Sequence, residues 1–208
     1  MDVKTAIQTG DAAGLRSLLA EDRARANELI EWGKNCEIRT HPLHYVSDML
    51  FDGTLQRGRE MPLIEALLAA GADCNHQALN GETPLIGAAS LAAEDVGLRL
   101  LDAGARPEVR GAFKETALHW AANLGLPRLA ARLIEKGADV NLKDARYNSP
   151  PIGWALHGRF NSSPGSQGNH HEVVALLVVA GAQVERSWLT DEQVYTDARM
   201  LSALRGER

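Results

Sequence analysis

Histidines are the residues of this chain that most readily suggest chemistry, and they fall partly in pairs. His41 and His44 stand three apart, a helical spacing that could present two imidazoles to a metal. No carboxylate or cysteine completes a site around them at a readable spacing. "HHEVVAL", residues 170–176, comes within one residue of the zinc motif H-E-x-x-H, but Ala175 stands where the second imidazole is needed. "PGSQG", residues 164–168, has Pro164 in place of the first glycine of a nucleophile elbow and lies in a loop rather than between strand and helix. Phosphate-cradling glycine loops are absent. Glu94 and Asp95 adjoin a helix start, where carboxylates offset the helix dipole. These residues lead to an expectation of no enzyme, no metal and no cofactor.

The bulk properties narrow the class further. The 208 residues are 45% hydrophobic and 24% charged, with a net charge of −5, which suits a folded chain with a sizeable core. Basic residues are interspersed with acidic ones, so the Lys/Arg clusters by which nucleic acid is held are missing, and no nucleic-acid partner is expected. Cys36 and Cys74 are far apart and outside any C-x-x-C, as reduced thiols in a cytoplasmic setting would be. The start, "MDVKTAIQTGD", lacks the basic-then-apolar order of a secretory signal, and no stretch reaches 18 apolar residues. A cytoplasmic chain with no membrane partner is the expectation.

The elements that would position any site repeat at a fixed period. Gly71 of "AGAD", Gly104 of "AGAR" and Gly137 of "KGAD" are each 33 residues apart, and Gly181 of "AGAQ" follows after 44. A second landmark recurs in step: "HPLHYVSD" from His41, "TPLIGAAS" from Thr83, "TALHWAAN" from Thr116 and "PPIGWALH" from Pro150. A third is the apolar run before each Gly-Ala, such as "LIEALLAA" and "LAARLIEK". In one unit Thr83 or Thr116 suits a helix N-cap and Ala121-Ala122 permit close packing. Gly125 stops the inner helix, Pro127 starts the outer one, and Gly137 ends it with a positive φ. "ADVNLKDARYN" then has the turn chemistry of a hairpin-like excursion.

With these motifs the sequence resembles the ankyrin-repeat family, whose pattern TPLH, two small residues, then LL-x-x-GA-D-x-N is matched closely at residues 115–141. At 82–109 Ile86 and Gly87 replace the usual His and its neighbour. The resemblance spans roughly residues 5 to 185. It implies an all-α ankyrin-repeat solenoid of helix–turn–helix units with β-hairpin-like loops, four full repeats plus degenerate N- and C-terminal caps. The expected plan is one domain over 1–208: a capping repeat at 2–27, repeats at 37–75, 79–109, 112–142 and 146–185, and a capping helix at 186–208. In the first unit Leu15, Leu18 and Leu19 are the expected core. At the other end Thr190 or Asp191 should start a helix, with Val194, Met200, Leu201 and Leu204 roughly on one face. A monomer is expected of a capped solenoid.

Three insertions depart from the pattern. "NELIEWGKNCEIRT" suggests an extended β-hairpin with Trp32 near its tip. The 49–60 insertion carries Met49, Leu50, Phe51 and Leu55 and reads as an ordered, contact-making lid, whereas the Gly/Ser/Asn-rich 158–169 insertion reads as flexible.

Aligning the units sets Tyr45, Gly87, Trp120 and Trp154 in one column, with Asp48, Ser90, Asn123 and His157 three positions on. The resemblance implies that this stretch of the inner helix borders a concave partner groove. It also implies that His44 and His119 brace the hairpins by hydrogen bonding. Phe113 and Tyr147 lie at the hairpin tips. The expected contact set is therefore Tyr45, Asp48, Phe113, Trp120, Asn123, Tyr147, Trp154 and His157, binding a protein partner through the groove and hairpin tips as a non-catalytic interaction module, whether adaptor, inhibitor or immunity-type partner. Trp120 and Trp154 could instead be packed between inner helices. The alternative function is a small-ligand or metal-binding protein with an aromatic- and His-lined pocket closed by an inserted loop.

Overall fold

The computed structural model describes residues 1–34, 37–161 and 168–207. Cys36 and residues 162–167, half of the 158–169 insertion and including Ser166 of "PGSQG", lie outside the described residues. Contacts group the chain into two compact units, Met1–Arg106 and Pro107–Arg208. Each is all-α apart from one small hairpin in the first.

In the first unit, α1 (Val3–Thr9) and α2 (Ala12–Glu21) form the opening helical pair, joined through Gly10 in the left-handed conformation. Leu15 and Leu19 are buried, whereas Leu18 is only partly so. The two strands β1 (Ile30–Trp32) and β2 (Ile38–Thr40) pair antiparallel with Ile30 opposite Thr40 and Trp32 opposite Ile38. This is the hairpin that the alternation around Gly33 predicts. The helices α3 (Pro42–Phe51), α4 (Glu60–Ala70), α5 (Pro84–Ser90) and α6 (Glu94–Asp102) follow as two more pairs. Proline opens α3 and α5, where its missing N–H costs nothing. The Thr83 hydroxyl accepts from the Ile86 N–H at 3.3 Å, as a cap should.

The 49–60 segment corrects one expectation. Met49, Leu50 and Leu55 are buried, the first two because α3 runs on through Phe51. Only Phe51, 81% exposed, faces outward. Three of the four apolar residues assigned to a contact-making lid thus belong to the core.

The second unit contains α7 (Ala117–Asn123), α8 (Pro127–Glu135), α9 (Pro151–Asn161) and α10 (His170–Val179). Gly125 has φ +64° between α7 and α8, the role its position predicts. Helices α7 and α9 approach closely because Gly158 lacks a Cβ, which would collide with the Asn123 carbonyl. The C-terminal segment forms α11 (Arg186–Leu189), α12 (Glu192–Thr196) and α13 (Ala198–Arg205). Asp191 caps α12 as expected, but Asp197 accepts from the Met200 N–H and starts a separate helix. Val194, Met200 and Leu204 are buried, with Leu201 at the edge of the core.

One device ties consecutive repeats together in both units. Asn75 donates to the Gly104 carbonyl at 3.1 Å while accepting from the Arg106 N–H at 2.8 Å. Asn141 does the same with Gly181 and Gln183, at 3.0 and 2.8 Å. Asn27 does so with Gly71 and Asp73, at 2.9 and 2.7 Å. A side-chain amide carries both a donor and an acceptor, so it satisfies the backbone just past the neighbouring helix end at both polarities. This explains the Asn that follows each "GAD-x" turn.

Candidate functional site

His44 and His119 are held as neutral braces. His44 Nε2 donates to the His76 carbonyl at 3.0 Å, and His119 Nε2 donates to the Ser149 carbonyl at 3.3 Å. His119 Nδ1 accepts from the Thr116 N–H at 3.1 Å, which fixes the tautomer. Burial lowers the His119 pKa to about 4, against the opposing pull of Asp144. His41 is also lowered to about 4, by burial first and then by the neighbouring His76 and His44. The His41 and His76 rings stack at 4.7 Å, yet His41 spends Nδ1 on the Leu43 N–H and Nε2 on Asn27. Among the described residues no group of three His, Cys, Asp or Glu could hold a metal. His170 is buried between the carbonyls of Asn123 and Gly168, at 2.9 and 3.1 Å. His171 and Arg159 both bond Asp197, so the near-miss zinc motif serves to anchor the C-terminal helices.

The predicted contact residues meet different fates. Tyr45 is 0% exposed: the Trp32 ring packs edge-on against it at 5.6 Å and Gln8 donates to its hydroxyl at 2.8 Å. A residue so enclosed offers no contact surface, which corrects its placement among the anchors. The cause is the inserted β-hairpin, which covers this position. Asp48 is half-buried. Burial raises its pKa to about 6 despite a hydrogen bond from Thr40, and Glu82 and Asp52 add to the rise.

In the second unit the aromatic residues form a connected row. Trp120 and Trp154 meet edge-to-face at 5.2 Å, and Trp154 meets Tyr147 at 6.0 Å. Trp120 is half-buried and its Nε1 lies buried without a hydrogen-bond partner. Trp154 is half-buried and donates Nε1–H to Asp144 Oδ2 at 3.1 Å. The two tryptophans therefore pack against each other, and Trp154 continues the row toward the surface. The row ends in Tyr147 and Phe113, which are 63% and 50% exposed. Asn123 is half-buried and His157 is exposed on its helix.

Reasoning from sequence missed the residues that organise this row. Asp144 is buried and accepts the N–H groups of Arg146, Tyr147 and Ser149 besides the Trp154 indole. Burial works to raise its pKa, but the Tyr147 N–H, the indole and the other two N–H donors outweigh it and hold the carboxyl low. Arg146 sits 5.0 Å from the Phe113 ring centroid and 5.3 Å from that of Tyr147. The signal was available, since Phe113 and Arg146 are one 33-residue period apart and the fold sets such positions side by side. Arg110 staples the two tips by donating to the carbonyls of Lys114 and Lys143, at 2.9 and 2.7 Å, and the Ala145 N–H donates to the Phe113 carbonyl at 2.6 Å.

The clearest clefts lie elsewhere. One of about 470 Å³ runs between α2 and α4 past Arg16, Arg23 and Ala66. Two others border Arg159 and Glu172. None of the three is lined by Tyr45, Trp120, Trp154 or His157. Geometry of this kind gives the ligand-pocket alternative no support.

Residues 54–144 match the family model for ankyrin repeats, in three copies. Over those residues the chain carries ankyrin repeats. Human ankyrin repeat and KH domain-containing protein 1 is 36% identical over 91 residues, 42% of this chain and 4% of that protein. The E3 ubiquitin-protein ligase KEG of Arabidopsis thaliana is 37% identical over 90 residues, 43% of this chain and 5% of its own length. Mouse ankyrin repeat domain-containing protein 17 is 39% identical over 82 residues, 38% of this chain and 3% of its own. The match thus spans a small fraction of each relative. Ankyrin repeats are generally non-enzymatic modules for protein–protein interaction. Among the described residues no helix is long and apolar enough to cross a membrane.

Proposed function

We propose that the chain is a non-catalytic binding partner for another protein, an adaptor or inhibitor, and that it engages its target through the hairpin tips of the second unit. The observation that carries this reading is the exposed pair Phe113 and Tyr147, held in place by Arg146 and backed by Trp154. Exposed aromatic rings fixed in one geometry bury large area on binding and lose little entropy in doing so. A cytoplasmic, monomeric chain acting without a cofactor belongs to the same reading. The test is co-purification of the tagged full chain from its native source, with wild type beside a Phe113→Ala/Tyr147→Ala double variant. Loss of the co-purifying protein at unchanged thermal stability is the expected result. Retention of every co-purifying protein by the double variant would sink the reading.

A further inference from the structure

We infer that the hairpin edge of the second unit selects an acidic peptide segment with an apolar or aromatic side chain in its middle. This rests on the binding reading above and names the chemistry of the partner. The edge concentrates positive charge on a chain whose net charge is −5. Lys114, Lys143 and Arg146 are all exposed, and Arg110 is partly so.

Among the described residues none of the nearby acids forms an ion pair with these cations. Asp144 is buried with its oxygens committed to backbone N–H groups and the Trp154 indole. Glu115 is buried and accepts from the Phe113 N–H at 2.8 Å. Glu108 is left as the exposed acid of the same stretch. Among the described residues no carboxylate oxygen lies within the 4.0 Å of an ion pair from the side-chain nitrogens of Arg110, Lys114, Lys143 or Arg146. Both acids accept from backbone N–H groups beneath the surface, so the charged side chains that the tips present to solvent are mainly cations. Four cations stand against Glu108, Glu115 and Asp144, a formal excess of one.

The geometry is set before any partner arrives. Arg110 holds the Lys114 and Lys143 carbonyls together, so the two tips move as one. Arg146 rests against two rings and is exposed, and its planar fork can bind a carboxylate at two points. Tyr147 and Phe113 flank it and supply the apolar contact. A partner segment must therefore offer carboxylates on either side of a hydrophobic side chain. Single-stranded nucleic acid also combines negative charge with stacking surfaces. The overall acidity of the chain repels a long polyanion, however, and the cationic patch is only two loop tips wide, which favours a short acidic peptide.

The test is fluorescence anisotropy with the full chain and four probes: a labelled Asp/Glu peptide with a central Phe, the same peptide with Ala for Phe, a Lys/Arg peptide with a central Phe, and oligouridylate. The acidic Phe peptide is expected to bind most tightly, and to weaken about tenfold as NaCl rises from about 50 to about 300 mM. Lys143→Glu, at an exposed site whose side chain makes no structural bond, is expected to weaken it by about tenfold, and Arg146→Glu by more. Arg146→Lys should retain part of the binding, because charge survives while the stacked fork is lost. Circular dichroism of each variant reports whether the fold is kept. Equal binding of the Lys/Arg peptide, tighter binding of oligouridylate, no binding of the acidic Phe peptide, or indifference to Lys143→Glu in a folded variant would each overturn the inference. If it falls this way while Phe113→Ala/Tyr147→Ala still releases the co-purified protein, the binding reading stands and only the acidic chemistry is wrong.

Discussion

Tyr45 and Trp154 occupy the same position of the repeat and do opposite things. In the first unit the paired strands β1 and β2 lie over that position, so Tyr45 is sealed by Trp32 and bonded by Gln8. Among the described residues of the second unit no such hairpin intervenes, and Trp154 lies half-open, its indole bonded to Asp144 and its ring passing contact on to Tyr147. A repeat position fixes which way a side chain points. What covers it is decided by the insertion next door.

The largest expected effect follows directly. Tyr45→Ala should cost about 3–5 kcal/mol of unfolding free energy, as for other large buried aromatics, whereas Trp154→Ala should cost about 2 kcal/mol because its ring is only half-enclosed. Denaturant titration of both variants checks this, and equal losses would erase the distinction. Next in size is Asp144→Ala, which strands three backbone N–H groups and an indole and should cost about 2–3 kcal/mol. Released aromatic packing would appear as a redshift in Trp154 emission.

Acid should separate the units. A histidine lowered from 6.5 to about 4 takes its proton later in the folded state than in the unfolded chain, so stability falls as pH drops from about 6.5 toward 4. His41 acts this way in the first unit and His119 in the second, and His44, which burial also lowers, adds to the loss in the first. Asp48 opposes them in the first unit: with its pKa raised to about 6, its folded form holds the proton more tightly, and stability is lost as pH rises through that value. Asp144 and Asp197 in the second unit, both held low, add to acid loss below about 3.8. Hydrogen exchange between pH 7 and 4 should therefore show protection falling faster in α7–α10 than in α3–α6, and Asp48→Asn, which leaves two lowered histidines in the first unit against one in the second, should reverse the order. Uniform loss in the wild type would contradict this.

The smallest effect concerns the tips. Gly81, Lys114 and Asn148 precede the inner helices at equivalent positions and all have positive φ, +84°, +59° and +50°. Lys114→Gly should relieve the cost of a left-handed lysine and raise stability by about 0.5 kcal/mol, since glycine gives part of the gain back as unfolded-state entropy. A shift of the denaturation midpoint measures it. Removing that charge should also weaken binding of an acidic probe.

Much of this fold can be read in the sequence because its signals are local. Gly71, Gly104 and Gly137 end helices by a conformation that other residues resist, and Pro84 and Pro127 open helices where no N–H is required. The braces at His44 and His119 follow from their shared place in the repeat. The site was less legible. Column alignment places Tyr45 beside the tryptophans but carries no information about an insertion that buries it. Arg146 and Asp144 sit in a turn whose composition explains them without reference to function. Their roles emerge only when residues one repeat apart are set side by side, as Phe113 and Arg146 are.

The most direct measurement is the fluorine spectrum of the full chain with 5-fluorotryptophan at its four tryptophans, recorded free and saturated with the co-purified partner. The account predicts that the Trp154 resonance moves, because its ring touches the exposed Tyr147, while Trp32, packed on the buried Tyr45, stays where it was. Movement of Trp32 with Trp154 unchanged would place recognition on the first unit and contradict the account.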